Sequence, residues 1–236
     1  EELQIFRELY HAELAYQDYQ IGRVLSAMRE RELLDDTIVI VTADHGEHLG
    51  EHHLMGHEFS LYDPLLHVPL VLRYPPLVTA DSSSNERVAI RHLYELIDAL
   101  RRAAGPSARP ADVRWAQLMR EGTPTGTVVA ELFKRDVTSS ERFAGTRLEE
   151  YDRDLRALYR DQWKLIWGSD GWDALFDLEV DPGELADLGP EQAERLALMR
   201  AMLGEEVPRL EDVARGQEAE LSDQLKNQLR SLGYLE

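Results

Sequence analysis

Cysteine is absent from this 236-residue chain. That absence excludes disulfides, thiolate nucleophiles and cysteine-ligated zinc within it. No apolar run approaches the ~18 residues of a membrane-spanning helix, so no membrane segment is expected. Internal repeats and low-complexity segments are lacking too. Basic charge is scarce: 26 Lys and Arg stand against 45 Asp and Glu, a formal net charge of −19. Such a field repels nucleic acid backbones and anionic lipid surfaces, which sets nucleic acid aside as a partner. An anionic substrate would need a local positive centre, and a bound divalent cation supplies one. The chain opens Glu1-Glu2-Leu3-Gln4, with neither an initiator Met nor a signal peptide and already inside a helical pattern. A fragment lacking its N-terminal part is therefore expected.

What is present begins with a helix pattern. Leu3, Phe6, Tyr10, Leu14, Ile21, Leu25 and Met28 recur at three- to four-residue spacing, with a gap at Gln17 and Asp18, which predicts one helix from Glu1 to about Leu34 packed on a sheet. Thr37–Thr42 is a strand with apolar residues on both faces, as in a sheet covered by helices. Phe59–Leu66 reads as a short helix limited by Pro64, and Val68–Tyr74 as a second strand ended by Pro75-Pro76. Leu93–Ala104 reads as a helix. Gly105–Asp112, rich in Gly, Ser and Pro, marks a boundary. Beyond it Thr127–Phe133, Arg156–Arg160, Trp163–Trp167 and Ala174–Leu178 are short strands, the last three spaced as an antiparallel meander. Helices at Glu191–Leu210 and Leu221–Leu232 close the chain. The fold class is α/β, with residues 1–105 forming a sheet flanked by helices. Residues 106–236 form a small α+β subdomain with an antiparallel sheet.

Six of the eight histidines lie between His45 and His67. The first follows a strand that stops at Asp44-His45-Gly46. Ligands gather outside the carboxyl ends of strands in open α/β sheets, and a carboxylate beside an imidazole suits a divalent ion. Gly46 leaves room for close backbone approach. A capping Asp beside a surface His is the plainer alternative. His57, beyond a loop with glycines at 46, 50 and 56, can donate to an anionic oxygen or protonate a leaving group. It can equally be a satisfied loop histidine, as can His48, His52, His53 and His67.

Taken together these pieces resemble the sulfatase family of the alkaline-phosphatase-like superfamily. The resemblance rests on Tyr10, Asp18 and Ile21-Gly22, then Leu34-Asp35-Asp36-Thr37 and Ile40-Val41-Thr42-Ala43-Asp44-His45-Gly46-Glu47. Gly50-Glu51-His52, Gly56-His57, Leu61-Tyr62 and Val68-Pro69-Leu70 follow in family order. Trp163-Lys164-Leu165-Ile166, Leu175-Phe176-Asp177-Leu178-Glu179, Asp181-Pro182-Gly183-Glu184 and Leu232-Gly233-Tyr234-Leu235 extend it through the C-terminal part.

The resemblance implies an alkaline-phosphatase-like sheet for residues 1–105 and a sulfuric ester hydrolase activity for the intact protein. It implies that Asp44 and His45 ligate one divalent cation, calcium first, with magnesium or manganese as alternatives. Many sulfatases carry Asn at the second position, but His also occurs. His57 matches the Lys or His that contacts the sulfate group and leaving oxygen. Lys164 is expected on a strand rim, Asp177 in a turn network, and Asp18 buried and hydrogen-bonded. The family's nucleophile is a formylglycine made in a Cys/Ser-x-Pro-x-Arg motif. No such motif occurs here, so formylglycine and the first metal carboxylates are expected in a missing N-terminal part, and this chain alone is expected to be inactive. The substrate class is a small-molecule or glycan sulfate ester. Phosphonate monoester or phosphodiester hydrolysis, or phosphoryl transfer, remains open on the same half-site, as does a non-catalytic truncated or degenerate chain.

Overall fold

The computed structural model describes residues 2–103, 126–134 and 151–215. The chain divides into two compact units, Glu1–Leu196 and Ala197–Glu236, and the site discussed below lies in the first. The expected boundary at Gly105–Asp112 and the expected helix at Leu221–Leu232 fall outside the described residues.

Helix α1 (Glu2–Glu30) forms as its periodicity predicts, but it has no buried residue. Phe6, Leu14 and Ile21 of its apolar stripe are exposed. Its first two turns make the hydrogen-bonded contact with a later segment of the chain. There Leu3 lies against Gly50 and Arg7 Nε donates to the Leu49 carbonyl at 2.8 Å. The expected packing of α1 on a sheet is therefore not what is found. Asp18, expected to be buried, is exposed on this helix.

Strands β1 (Val39–Thr42) and β4 (Leu70–Arg73) pair antiparallel, with Ile40 opposite Leu72 and Val41 opposite Val71. Side chains alternate across a strand, so Leu70 and Leu72 share one face. That face meets Leu96 and Leu100 of α3 (Leu93–Ala103), spaced one helical turn apart, together with Leu77. Val71, on the opposite face, stays 58% exposed. The expectation of helices on both faces thus holds for one face among the described residues.

Between β1 and β4 the segment expected to be loop contains a small hairpin. Strand β2 (His48–Leu49) pairs with β3 (Met55–Gly56). Gly50 takes φ 108°, and His52 and His53 take φ 54° and 60°. The chain reverses through left-handed backbone that glycine accepts freely and histidine adopts only under local constraint. Helix α2 (Asp63–Leu66) carries Pro64 in its first turn. Proline there lacks a donor the helix would not use, so Pro64 starts the helix rather than limiting it.

The four predicted strands form one antiparallel sheet in order β5 (Thr127–Leu132), β6 (Leu155–Arg160), β7 (Trp163–Gly168) and β8 (Asp173–Asp177). One face, with Leu155, Ala157, Tyr159, Ile166, Ala174 and Phe176, packs on Leu61, Tyr62 and Leu66 from the α2 region. Burial of this apolar surface at roughly 25 cal/mol per Å² holds the α2 segment to the sheet. Helix α4 (Ala193–Arg215) follows, with Pro208 inside it.

Candidate functional site

β1 ends at Thr42, and the chain turns at Asp44. The Asp44 carboxylate accepts the His45 backbone N–H at 3.0 Å through Oδ1. Its other oxygen lies 3.9 Å from His45 Nε2. His45 Nδ1 is 2.8 Å from the Gly46 carbonyl. A carbonyl only accepts, so Nδ1 carries the proton and Nε2 keeps a lone pair in the neutral ring. This is the second-atom arrangement that orients imidazole ligands in metal sites.

Gly46 has no room for a side chain. A Cβ there would lie 1.9 Å from the Pro64 carbonyl oxygen, and the Gly46 N–H donates to the Leu65 carbonyl at 2.8 Å. The close approach read from the sequence is thus an approach of α2. The hairpin then returns His57 to the corner: the His45 and His57 rings have centroids 4.2 Å apart. His57 Nδ1 donates to Glu47 Oε2 at 3.0 Å, which fixes the ring and leaves Nε2 for a ligand. Glu47 had no role in the sequence reading. His45, Glu47 and His57 each offer a ligating atom, all within 4.8 Å of one another.

The other histidines separate from this group. His48 is buried, with Nε2 2.7 Å from Ser60 Oγ. Burial, then the neighbouring His52, lowers its pKa and keeps the ring neutral. His52 stacks on Tyr62 with centroids 3.7 Å apart. His53 and His67 are exposed. Asp44 and His67 are on the wall of an open cavity of about 1680 Å³, together with Asp63, Arg73, Arg87 and Tyr159.

Lys164 departs from expectation most. It is fully buried in β7 rather than on a rim. Its Nζ lies 2.7 Å from Asp63 Oδ1 and 2.5 Å from Glu184 Oε1. The Tyr159 hydroxyl donates to the same Asp63 oxygen at 2.7 Å, and the Asp63 N–H donates to Glu184 Oε2 at 2.5 Å. Desolvation of a buried cation costs several kcal/mol, and two carboxylates in contact offset it. Asp177 accepts the Glu179 N–H, within a turn as expected.

The chain is similar in sequence and fold to several known proteins. Residues 5–101 match the model of the Sulfatase family. Arylsulfatase K of Gallus gallus is 29% identical over 210 residues, covering 83% of this chain and 36% of that protein. The chain thus spans about a third of the length of the curated relatives it matches. BT4656, solved in complex with its substrate D-glucosamine-2-N,6-O-disulfate, superposes with TM-score 0.64 at 22% identity over 83% of this chain and 39% of that one. The phosphonate monoester hydrolase of Agrobacterium radiobacter gives TM-score 0.56 at 23% identity, over 83% and 39%. The described architecture is mixed α/β like these neighbours, and the stretch 5–101, less than half of the chain, is the part that matches the sulfatase family.

Proposed function

We propose that this chain carries one half of the active site of a metal-dependent sulfuric ester hydrolase, with residues 1–105 completing a catalytic α/β domain and residues 106–236 a C-terminal subdomain. The observation that carries the reading is the pairing of the Asp44–His45 corner with His57, rings 4.2 Å apart and His57 held by Glu47. Asp44 Oδ2 and His45 Nε2, 3.9 Å apart, suit a cation at roughly 2.0–2.5 Å from each. Calcium is the first candidate, and manganese or magnesium the next. When bound, the cation neutralises charge on the oxyanion of the substrate. Glu47 orients His57, and a protonated His57 gives its proton to the leaving alcohol oxygen or donates to a sulfate oxygen. Formylglycine as nucleophile, with the remaining metal carboxylates, is assigned to sequence outside this chain. A sulfated glycan is the favoured substrate class, because BT4656 was solved with a disulfated glucosamine.

Phosphonate or phosphodiester hydrolysis is the second reading. It is favoured by the Asp44-His45 pair followed by His57 and by the likeness to the phosphonate monoester hydrolase. One assay compares the full-length gene product on an aryl sulfate and an aryl phosphonate, with and without His57→Ala. We expect kcat on the sulfate ester to fall at least about 100-fold in the variant. An unchanged kcat would remove His57 from the chemistry, and preference for the phosphonate would select the second reading.

A further inference from the structure

The Asp44–His45 corner is tied to the C-terminal sheet by a short run of named atoms. It starts at Lys164 in β7, whose Nζ pairs with Asp63 at 2.7 Å and Glu184 at 2.5 Å. Asp63 is the first residue of α2. Two residues on, the Leu65 carbonyl accepts the Gly46 N–H at 2.8 Å. The Pro64 carbonyl fills the space where a Gly46 side chain would be. The Gly46 carbonyl then accepts from His45 Nδ1 at 2.8 Å, which sets the ring that faces Asp44.

We infer that Lys164 is a positioning residue for the Asp44–His45 corner, acting through Asp63, α2 and Gly46. Lys164 is the cation between two carboxylates that share a largely buried site. Without it, Asp63 and Glu184 face each other as like charges in a poorly solvated place. Protonation of Glu184 can relieve the repulsion, but Asp63, the more accessible of the two (19% side-chain exposure against 0%), still loses the ion pair that anchors it and is free to move. Asp63 is the first residue of a four-residue helix, too short to absorb the shift internally. Its movement draws the Pro64 and Leu65 carbonyls away from Gly46. The functional consequence rests on the metal reading above, whereas the mechanical link exists in the metal-free chain.

The test uses the full 236-residue chain and two readouts: residue-resolved amide hydrogen exchange without metal, and Mn²⁺ affinity. Lys164→Met removes the cation. Asp63→Ala removes the side-chain link from Lys164 to α2, keeps the backbone N–H bond from residue 63 to Glu184, and leaves Lys164 and Glu184 as a neutral pair, so the core keeps its charge balance. In both variants we expect Gly46 amide protection to fall at least about tenfold while the Leu158–Leu165 amides of β6 and β7 keep theirs. Mn²⁺ affinity should fall about 10- to 100-fold, as for lost supporting contacts in other metal sites. Gly46 protection within twofold of wild type in either folded variant overturns the inference. Protection lost equally across the sheet and Gly46 in both variants also overturns it, because Lys164 is then a general stabiliser. Should only Lys164→Met unfold, Asp63→Ala decides. A wild-type chain that binds no Mn²⁺ while Gly46 responds as expected leaves the positioning role standing, since the remaining metal carboxylates are assigned to sequence outside this chain; the metal reading is then sunk only if the full-length gene product also binds none.

Discussion

At the scale of single residues, two carboxylates compete for the role of metal ligand. Asp44 shares a cation-sized gap with His45. Glu47 belongs to a different trio, with His45 and His57. The Glu47 carboxylate already accepts from His57, and our reading gives it that orienting task. Asp44→Ala should therefore weaken Mn²⁺ binding at least about tenfold, while Glu47→Gln leaves it within about twofold. Titration calorimetry on the full chain checks this. The reverse order would assign the ion to the His45–Glu47–His57 trio and deny His57 its proton-donating role. Asp44, His45 and His57 were legible as candidates because their types and order are distinctive, and the structure places them side by side. Glu47 was not: nothing local shows that a hairpin brings a histidine ten residues away back onto it.

Among the elements, α2 carries the buried carboxylate whose ion pair responds to acid. Burial pushes the Asp63 carboxyl up, but the Lys164 charge, its hydrogen bond and the Tyr159 hydroxyl outweigh this and hold it below the ordinary value of 3.8. A carboxyl depressed by folding adds stability that is complete above its unfolded value and lost as pH falls through its folded value. Glu184 goes the other way: burial raises it above 4.5, with Lys164 pulling it back. Glu184 thus takes up a proton first and leaves the Lys164–Asp63 pair intact. In urea unfolding, the stability gap between wild type and Asp63→Asn should be flat from about pH 7 to 5 and shrink below about 3.8. A gap that widens on acidification would contradict this assignment. The β5–β8 strands were readable because each is short, apolar and bounded by turn residues. The burial of Lys164 was not, since its partners lie in α2 and in the turn after β8, far away in sequence. The exposure of α1 was equally hidden: periodicity shows which face of a helix is apolar, not what covers it.

For the whole molecule, charge is the dominant fact. A net −19 concentrates cations near the surface and is screened within about 8–10 Å at physiological salt. Apparent Mn²⁺ affinity should therefore weaken several-fold between about 0.01 and 0.15 M NaCl, more than a single ligand pair would account for. Affinity independent of salt would show that the corner is insulated from the global field. On the proposed function, an anionic ester would feel the same field with opposite sign, and a bound cation would then have a second use as a local reversal of charge.

The span of the buried ion pairs also orders events in time. Asp63 meets Glu184 across 121 residues of sequence. At about 5–20 residues per second, a ribosome takes roughly 6–24 s to deliver the second after the first. During that interval the Asp44–His45 turn has already been synthesised, but the sheet that steadies it has not. The corner is therefore made early and finished late, and a nascent chain arrested before β7 would carry every proposed site residue without the Lys164 and Glu184 contacts that support them.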